Sequence, residues 1–323
     1  MIMKVSIAIT ILFLISGAPL LAQVQEQLTP TELKQKTIVT EPQTLYKGFF
    51  RAGIAFNYST TDKIFTIDGK RESLASNVWA NSWFIQNFLM YGISDRLQVE
   101  VNIPYRFQQI YQSFRVEAPD FGVVETQRWK TKSTGLSDLS IAVVYQLIPE
   151  REASPSQTLY VTANLPTGEK NFTDVKNERE FSPPVGAGEA SLTATYRLRK
   201  VSYPFAYSGF VSYQHFFGGT KLLDPLDTDE RPFQSGANYS VGGYVNFHLN
   251  EWIAIRNSAD YFFSVRDEYD GVKEEHDSWV IQYYPGLSFQ VKQFRIDQAV
   301  NVPIAGKLSS ADPSYFIIIQ YTF

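Results

Sequence analysis

The sequence predicts an all-β protein, a transmembrane antiparallel up-and-down β-barrel of about 12 strands. Three observations carry that prediction: strand-length segments alternate apolar with polar residues, the links between them alternate in length, and the C-terminal segment is aromatic with period two. Composition narrows the class first. Over 323 residues the mean hydropathy is -0.18, too polar for a bundle of membrane helices, while 15% of residues are aromatic. That combination suits strands that turn one residue to lipid and the next to a lumen. A net charge of -4, without a long basic run, leaves no electrostatic footprint for nucleic acid. The chain has no cysteine, which excludes a disulfide framework, thiolate metal sites and a lipoprotein anchor.

The N-terminal residues supply an address. Lys4 precedes an apolar stretch over residues 5–15, and Gly17-Ala18-Pro19-Leu20-Leu21-Ala22 follows it, so residues 1–22 read as a secretory signal peptide cleaved after Ala22. Leu20 is bulkier than the small residue usual two positions before the cut, which leaves cleavage after Ala18 open. An uncleaved anchor is the competing reading; the apolar core is shorter than the ~20 residues a spanning helix needs. No later stretch reaches that length, so any membrane span must be made of strands. Residues 23–44 are polar, hold Pro30 and Pro42, and show no period. They read as a periplasmic N-terminal extension, either entering the lumen or plainly disordered.

Strands are expected at residues 45–58, 78–91, 96–111, 136–148, 158–166, 189–198, 203–217, 237–249, 252–266, 278–291, 293–305 and 314–323. The third shows the alternation most cleanly: Leu97, Val99, Val101 and Ile103 take one face, Gln98, Glu100 and Asn102 the other. Short links fall at 92–95, around Lys200, at 250–251 and at Lys292, with a somewhat longer one at 150–157. Longer polar links intervene at 59–77, 112–135, 167–188, 218–236, 268–277 and 306–313. Outer-membrane barrels have short periplasmic turns and longer extracellular loops, which is the same alternation, and an even strand count returns both termini to the periplasm. A soluble sandwich or propeller would not require the two link lengths to alternate in register.

In the last strand Tyr315, Ile317, Ile319, Tyr321 and Phe323 form one apolar, aromatic face. This face resembles the terminal recognition strand of bacterial outer-membrane barrels, which implies the barrel assembly machinery as a partner and these five residues as its assembly signal. Aromatics also collect near strand ends, among them Tyr91 and Trp252 toward the short links and Tyr58 and Trp279 toward the long ones. Two such girdles suit rings that sit in the acyl boundary with polar tips among lipid and lipopolysaccharide headgroups.

Twelve strands enclose a lumen of intermediate width, a narrow pore or a plugged one. Alternation places Arg51, Glu100, Asp138, Glu189, Arg197, Arg256, Asp260, Arg295 and Asp297 inside, because their strand neighbours are mostly apolar or aromatic. Charges of both signs then share the interior. They act either as a constriction that orients polar solutes or as ion pairs that fill and rigidify it.

Several short motifs point to a family. Tyr91-Gly92-Ile93-Ser94-Asp95-Arg96-Leu97 followed by Asn102-Ile103-Pro104-Tyr105 resembles the strand-turn-strand signature of the outer-membrane family called MetA-pathway of phenol degradation. So do Gly135-Leu136-Ser137-Asp138-Leu139, Leu165-Pro166-Thr167-Gly168 and Gly186-Ala187-Gly188-Glu189-Ala190. The resemblance covers most of the chain from about Leu45 and implies a transporter-like barrel for aromatic or otherwise hydrophobic small molecules. The first and third of the glycine motifs also form a weak internal repeat, matching in Gly, acid and Ser and reaching Tyr145 and Tyr196.

An enzyme is not expected. Hydrolytic outer-membrane barrels need His beside Ser or Asp, whereas His215, His248 and His276 are dispersed along the chain. Loop acids such as Asp224, Asp227, Asp229, Asp267 and Asp270 match no dedicated calcium loop, so neither a metal nor a cofactor is expected. The function these readings support is passive passage of small molecules; the alternative is a structural or surface-interaction barrel without transport.

Overall fold

The structure, a computed structural model, describes residues 44–74, 79–117, 124–151, 154–171, 173–174, 181–182, 184–222, 229–250 and 252–323; for 111–117, 124–130, 173–174 and 181–182 it describes the backbone alone. The expected signal peptide, and the extension before Thr44, lie outside the described residues.

Twelve strands form the wall: β1 (Phe50–Thr61), β2 (Trp79–Ser94), β3 (Leu97–Glu117), β4 (Leu139–Ile148), β5 (Ser156–Leu165), β6 (Glu189–Ser202), β7 (Phe205–Lys221), β8 (Asn238–His248), β9 (Ile253–Ser264), β10 (Ser278–Val291), β11 (Phe294–Lys307) and β12 (Ser314–Thr322). Each pairs antiparallel with its neighbour in sequence. β12 returns to β1, from Arg51 opposite Thr322 to Ser59 opposite Ser314, and that pairing closes the barrel. Closure leaves no lateral edge of the wall to satisfy, which is what lets strands cross a bilayer.

The burial pattern is inside-out relative to a soluble sheet. On β4 the side chains of Ile141, Val143 and Tyr145 stand more than 40% exposed on the outer face, while Ala142 and Val144 between them are buried. Tyr315, Ile317 and Tyr321 of β12 are likewise exposed, and Phe316, Ile318 and Gln320 point inward and are buried. An apolar exterior over a largely polar interior is stable only when lipid covers the outside.

One expected link is a strand pair. Residues 112–135 read as a long polar loop, but β3 runs on to Glu117 and pairs with the strand Val124–Leu136 from Tyr105 opposite Leu136 to Glu117 opposite Val124. The polar composition was a poor guide because a hairpin standing in water needs backbone pairing and not an apolar face. The 59–77 and 306–313 links also carry structure: Lys63–Phe65, Arg71–Ser73 and Ser309–Ser310 form a three-stranded patch. Asp312 fastens it by accepting the Asp62 and Lys63 amides at 2.6 and 2.7 Å. In the 268–277 link, Asp270 and Gly271 both take positive φ, 51° and 78°, the two-residue turn that matches strand twist.

Candidate channel interior

The interior is built in three levels along the barrel axis. At the short-turn end β1 brings Arg51, β3 brings Glu100, β6 brings Arg197 and Arg199, β9 brings Arg256, and β11 brings Arg295 and Asp297, all within the strand half nearest the short turns. Period-two alternation fixes this: each is flanked along its strand by outward residues such as Val99, Val101, Leu198 and Ile255. Arg295 Nε lies 2.9 Å from Asp297 Oδ2, and Ser288 Oγ donates to the same carboxylate. Arg51 Nε donates to Thr322 Oγ1 at 2.8 Å and a terminal nitrogen to Gln320 Oε1 at 3.4 Å, with Glu100 in electrostatic reach. Two guanidiniums lie over rings, Arg197 5.2 Å from Tyr160 and Arg256 4.8 Å from Tyr244.

The same end is crossed by the chain that enters β1. Leu45 is 2% exposed and packs inside the barrel against Ala55, Phe88, Met90 and Ile318. Its amide donates to Gln98 Oε1 at 2.8 Å, and Thr44 Oγ1 donates to the Asp95 carbonyl at 3.2 Å. Gly48 and Gly92 let two backbones meet: Gly48 N donates to Gly92 O at 2.8 Å and Gly92 N to Phe49 O at 3.0 Å. A Cβ on Gly92 would sit 2.1 Å from the Tyr46 carbonyl oxygen, so only glycine fits this turn.

The middle level is aromatic. Tyr284 Oη lies 2.6 Å from Gln282 Oε1 and 3.2 Å from Asp260 Oδ2, two acceptors for its one proton, and its ring lies 5.8 Å from Phe316. Arg106 lies 6.0 Å over Phe84.

At the long-loop end the three glycine motifs come together. Asp138 occupies the two-residue interruption between the Val124–Leu136 strand and β4, where its carboxylate accepts Gly168 N at 2.9 Å and Ala187 N at 2.6 Å. Ser137 Oγ donates to Val185 O at 2.6 Å, and Thr167 Oγ1 accepts Leu139 N at 2.9 Å. Gly168 and Gly186 touch backbone to backbone; a Cβ on Gly186 would lie 2.7 Å from Gly168 C. The motifs are therefore a knot that fastens the 166–188 loop to the wall. At the same mouth Glu189 accepts Ser235 N at 3.1 Å, and Asp267 accepts Gly236 N at 2.9 Å. Above them, hydrogen bonds from Lys170, Thr220 and Asn171 hold the Glu230 carboxyl down at about 2. Burial, with Asp267 nearby, pushes Glu274 up to about 7.

All nine charged residues assigned inward by alternation thus occupy inward strand positions or the mouth, but not one site: six form the short-turn level with Arg199, Asp260 sits mid-barrel, and Asp138 and Glu189 hold loops. Arg199, Arg106, Tyr160 and Tyr244 escaped the sequence reading. Arg199 and Arg106 were recoverable from the period, two residues beyond Arg197 and six beyond Glu100. The rings were not, since an inward Tyr and an outward Tyr look alike in sequence. His215 points outward between Tyr213 and Phe217, and His248 lies at the opposite end of the wall. Among the described residues no group of three or more His, Cys, Asp or Glu could hold a metal.

The family model described as "Putative MetA-pathway of phenol degradation" matches residues 72–302, well over half of the sequence. The chain belongs to this family. The matched span contains the knot and most of the short-turn level; Arg51 and the terminal strand lie outside it. No curated protein matches the sequence. Among solved structures, the COG4313 outer membrane channel from Pseudomonas putida F1 aligns with a TM-score of 0.65 at 14% identity, covering 87% of this chain and 97% of that one. At that identity the likeness establishes the fold, an outer-membrane barrel. The CymD monoaromatic hydrocarbon channel aligns with a TM-score of 0.49 at 9% identity, covering 86% of this chain and 88% of its own. The toluene transporter TbuX of Ralstonia pickettii aligns with 0.46 at 10%, covering 93% and 95%. Scores at that level add nothing to the assignment.

Proposed function

We propose that this chain is a channel of a Gram-negative outer membrane that passes small molecules, hydrophobic or aromatic in character, down their concentration gradient. The observation that carries the reading is the closed wall of twelve strands, apolar outside and lined inside by polar and aromatic side chains in levels. The family's description and the P. putida channel sharing the fold agree with it. In this reading residues 1–22 are removed on export, both termini face the periplasm, the long loops meet lipopolysaccharide, and the outward face of β12 engages the assembly machinery. Purified protein in planar bilayers tests the proposal: discrete conductance steps are expected, and a folded barrel that never conducts would refute it. The second reading, a barrel without transport, draws on one observation, the Thr44–Leu45 segment buried inside the short-turn end. The same recording decides between them.

A further inference from the structure

One face of the hairpin formed by β3 and the strand Val124–Leu136 is basic. The pairing sets Gln109 opposite Lys132, Tyr111 opposite Lys130, Ser113 opposite Arg128 and Arg115 opposite Thr126. With a period of two, Lys132, Lys130, Arg128 and Arg115 share the backbone face that carries Thr134 and Leu136 lower on the ribbon. Glu125 falls on the other face. Among the described residues of the hairpin, the acid on the basic face is Glu117, at the far end opposite Val124. Four basic residues against one acid give that face an excess of positive charge.

The same face continues the lipid-facing wall. Leu136 is 59% exposed, and one row of the wall runs from Tyr58 through Trp83 and Phe107 to Thr134. Trp83 is exposed and its ring lies 4.4 Å from that of Tyr58, a pair suited to an interfacial girdle. Lys132 stands two residues past Thr134 toward the hairpin tip, about 7 Å further along the strand, and Arg128 about 20 Å further. The basic residues therefore begin where the apolar band ends, at the level of lipid headgroups, and rise from there. Like charges at alternate positions of one face, and on the diagonal from Arg115 to Arg128, repel one another. Anions at the same level stabilise such an array.

We infer that this face is a docking site for phosphorylated glycolipid of the outer leaflet, whose phosphates meet Lys132, Lys130, Arg128 and Arg115 while its acyl chains lie against the wall below. The inference goes beyond the channel reading and rests on its orientation, with the long links outward. Lysine takes phosphate as a point charge and arginine through two parallel hydrogen bonds. Successive basic residues about 7 Å apart suit a headgroup with more than one phosphate, because several weak contacts then act together. A basic cluster next to a membrane surface is drawn to anionic lipid in the same way.

The test titrates the purified protein in detergent with diphosphoryl lipid A and with the same lipid stripped of its phosphates. Wild type should bind the phosphorylated form at least about tenfold more tightly, and the gap should narrow at about 0.5 M NaCl. Arg128→Gln with Lys130→Gln should cut the preference at least about threefold, whereas Lys70→Gln with Lys273→Gln, two exposed lysines of other links, should leave it unchanged. Because the wild-type comparison needs no variant, the inference is exposed even if the hairpin variant fails to fold. Equal affinity for the two lipids, or a hairpin variant that folds and keeps the full preference, overturns the site and leaves the channel standing, since conductance is recorded without lipid A. Complete displacement by inorganic phosphate at about a hundredfold excess overturns the lipid as the source of the anion. Thr126→Cys should react with an impermeant maleimide on intact cells; protection there overturns the orientation and, with it, the outer-leaflet ligand.

Discussion

Removing the Asp138 carboxylate should release the base of the 166–188 loop from the wall. Asp138→Ala deletes two hydrogen bonds to an ionised acceptor, from Gly168 N and Ala187 N. Each is worth about 1.5–3 kcal/mol, because the acceptor is charged and both amides would be left without it. Water reaches this partly exposed carboxylate, so the lower value applies. Two bonds then give about 3 kcal/mol, roughly a hundredfold in the local opening equilibrium. The contact of Gly168 with Gly186 should loosen with it, since the Asp138 oxygen fills the space beside both glycines. Hydrogen exchange read by mass spectrometry in detergent would show it: peptides carrying Gly168 and Ala187 should lose about a hundredfold in protection, while β8 and β9 keep theirs. Asp138→Asn keeps one acceptor oxygen and should fall between. If Asp138→Ala left the two amides within about threefold of wild type, the knot would be held by the glycine packing and the Ser137 and Thr167 bonds, and the role given to the carboxylate would be wrong.

Gly92→Ala should expel the segment at Leu45, because the new Cβ would overlap the Tyr46 and Leu45 carbonyl oxygens; a cysteine at Leu45 should react with a soluble maleimide at least about tenfold faster in that background. Glu274, held at about 7 by burial and by Asp267 against an ordinary value of 4.5, binds its proton more tightly in the folded mouth than in the unfolded chain. The stability tied to that proton is full below about 4.5 and lost as pH rises through 7, so the unfolding temperature should fall between pH 5 and 8 and Glu274→Gln should flatten the fall. Phe323→Asp places a charge beside Phe50 and Tyr321, whose rings lie 5.9 and 4.8 Å from that of Phe323, and should lower the heat-modifiable barrel in the outer-membrane fraction severalfold.

Much of the fold was legible because two periods do separate work in this chain. The period of two sorts Leu97, Val99 and Val101 from Gln98, Glu100 and Asn102 whatever the partner strand, so face assignment needs no knowledge of register. The alternation of link length then sets the direction of each strand. Where the sequence misled, the physical reason is specific. Residues 112–135 look like a loop because their polarity signals water, and water is compatible with a hairpin as well as with a coil. The site is harder to read, since a level in a barrel is defined across strands: Tyr160 and Tyr244 are 84 residues apart and belong together only through the pairings that run from β5 to β8. Asp138 shows the converse. Alternation places it inside and chemistry makes it acidic, which together suggest a filter residue. Its two amide bonds show instead that the charge is spent on a loop. What separates a filter charge from a structural one is the chemistry of its contacts, and a sequence carries that only once register has brought the contacts together.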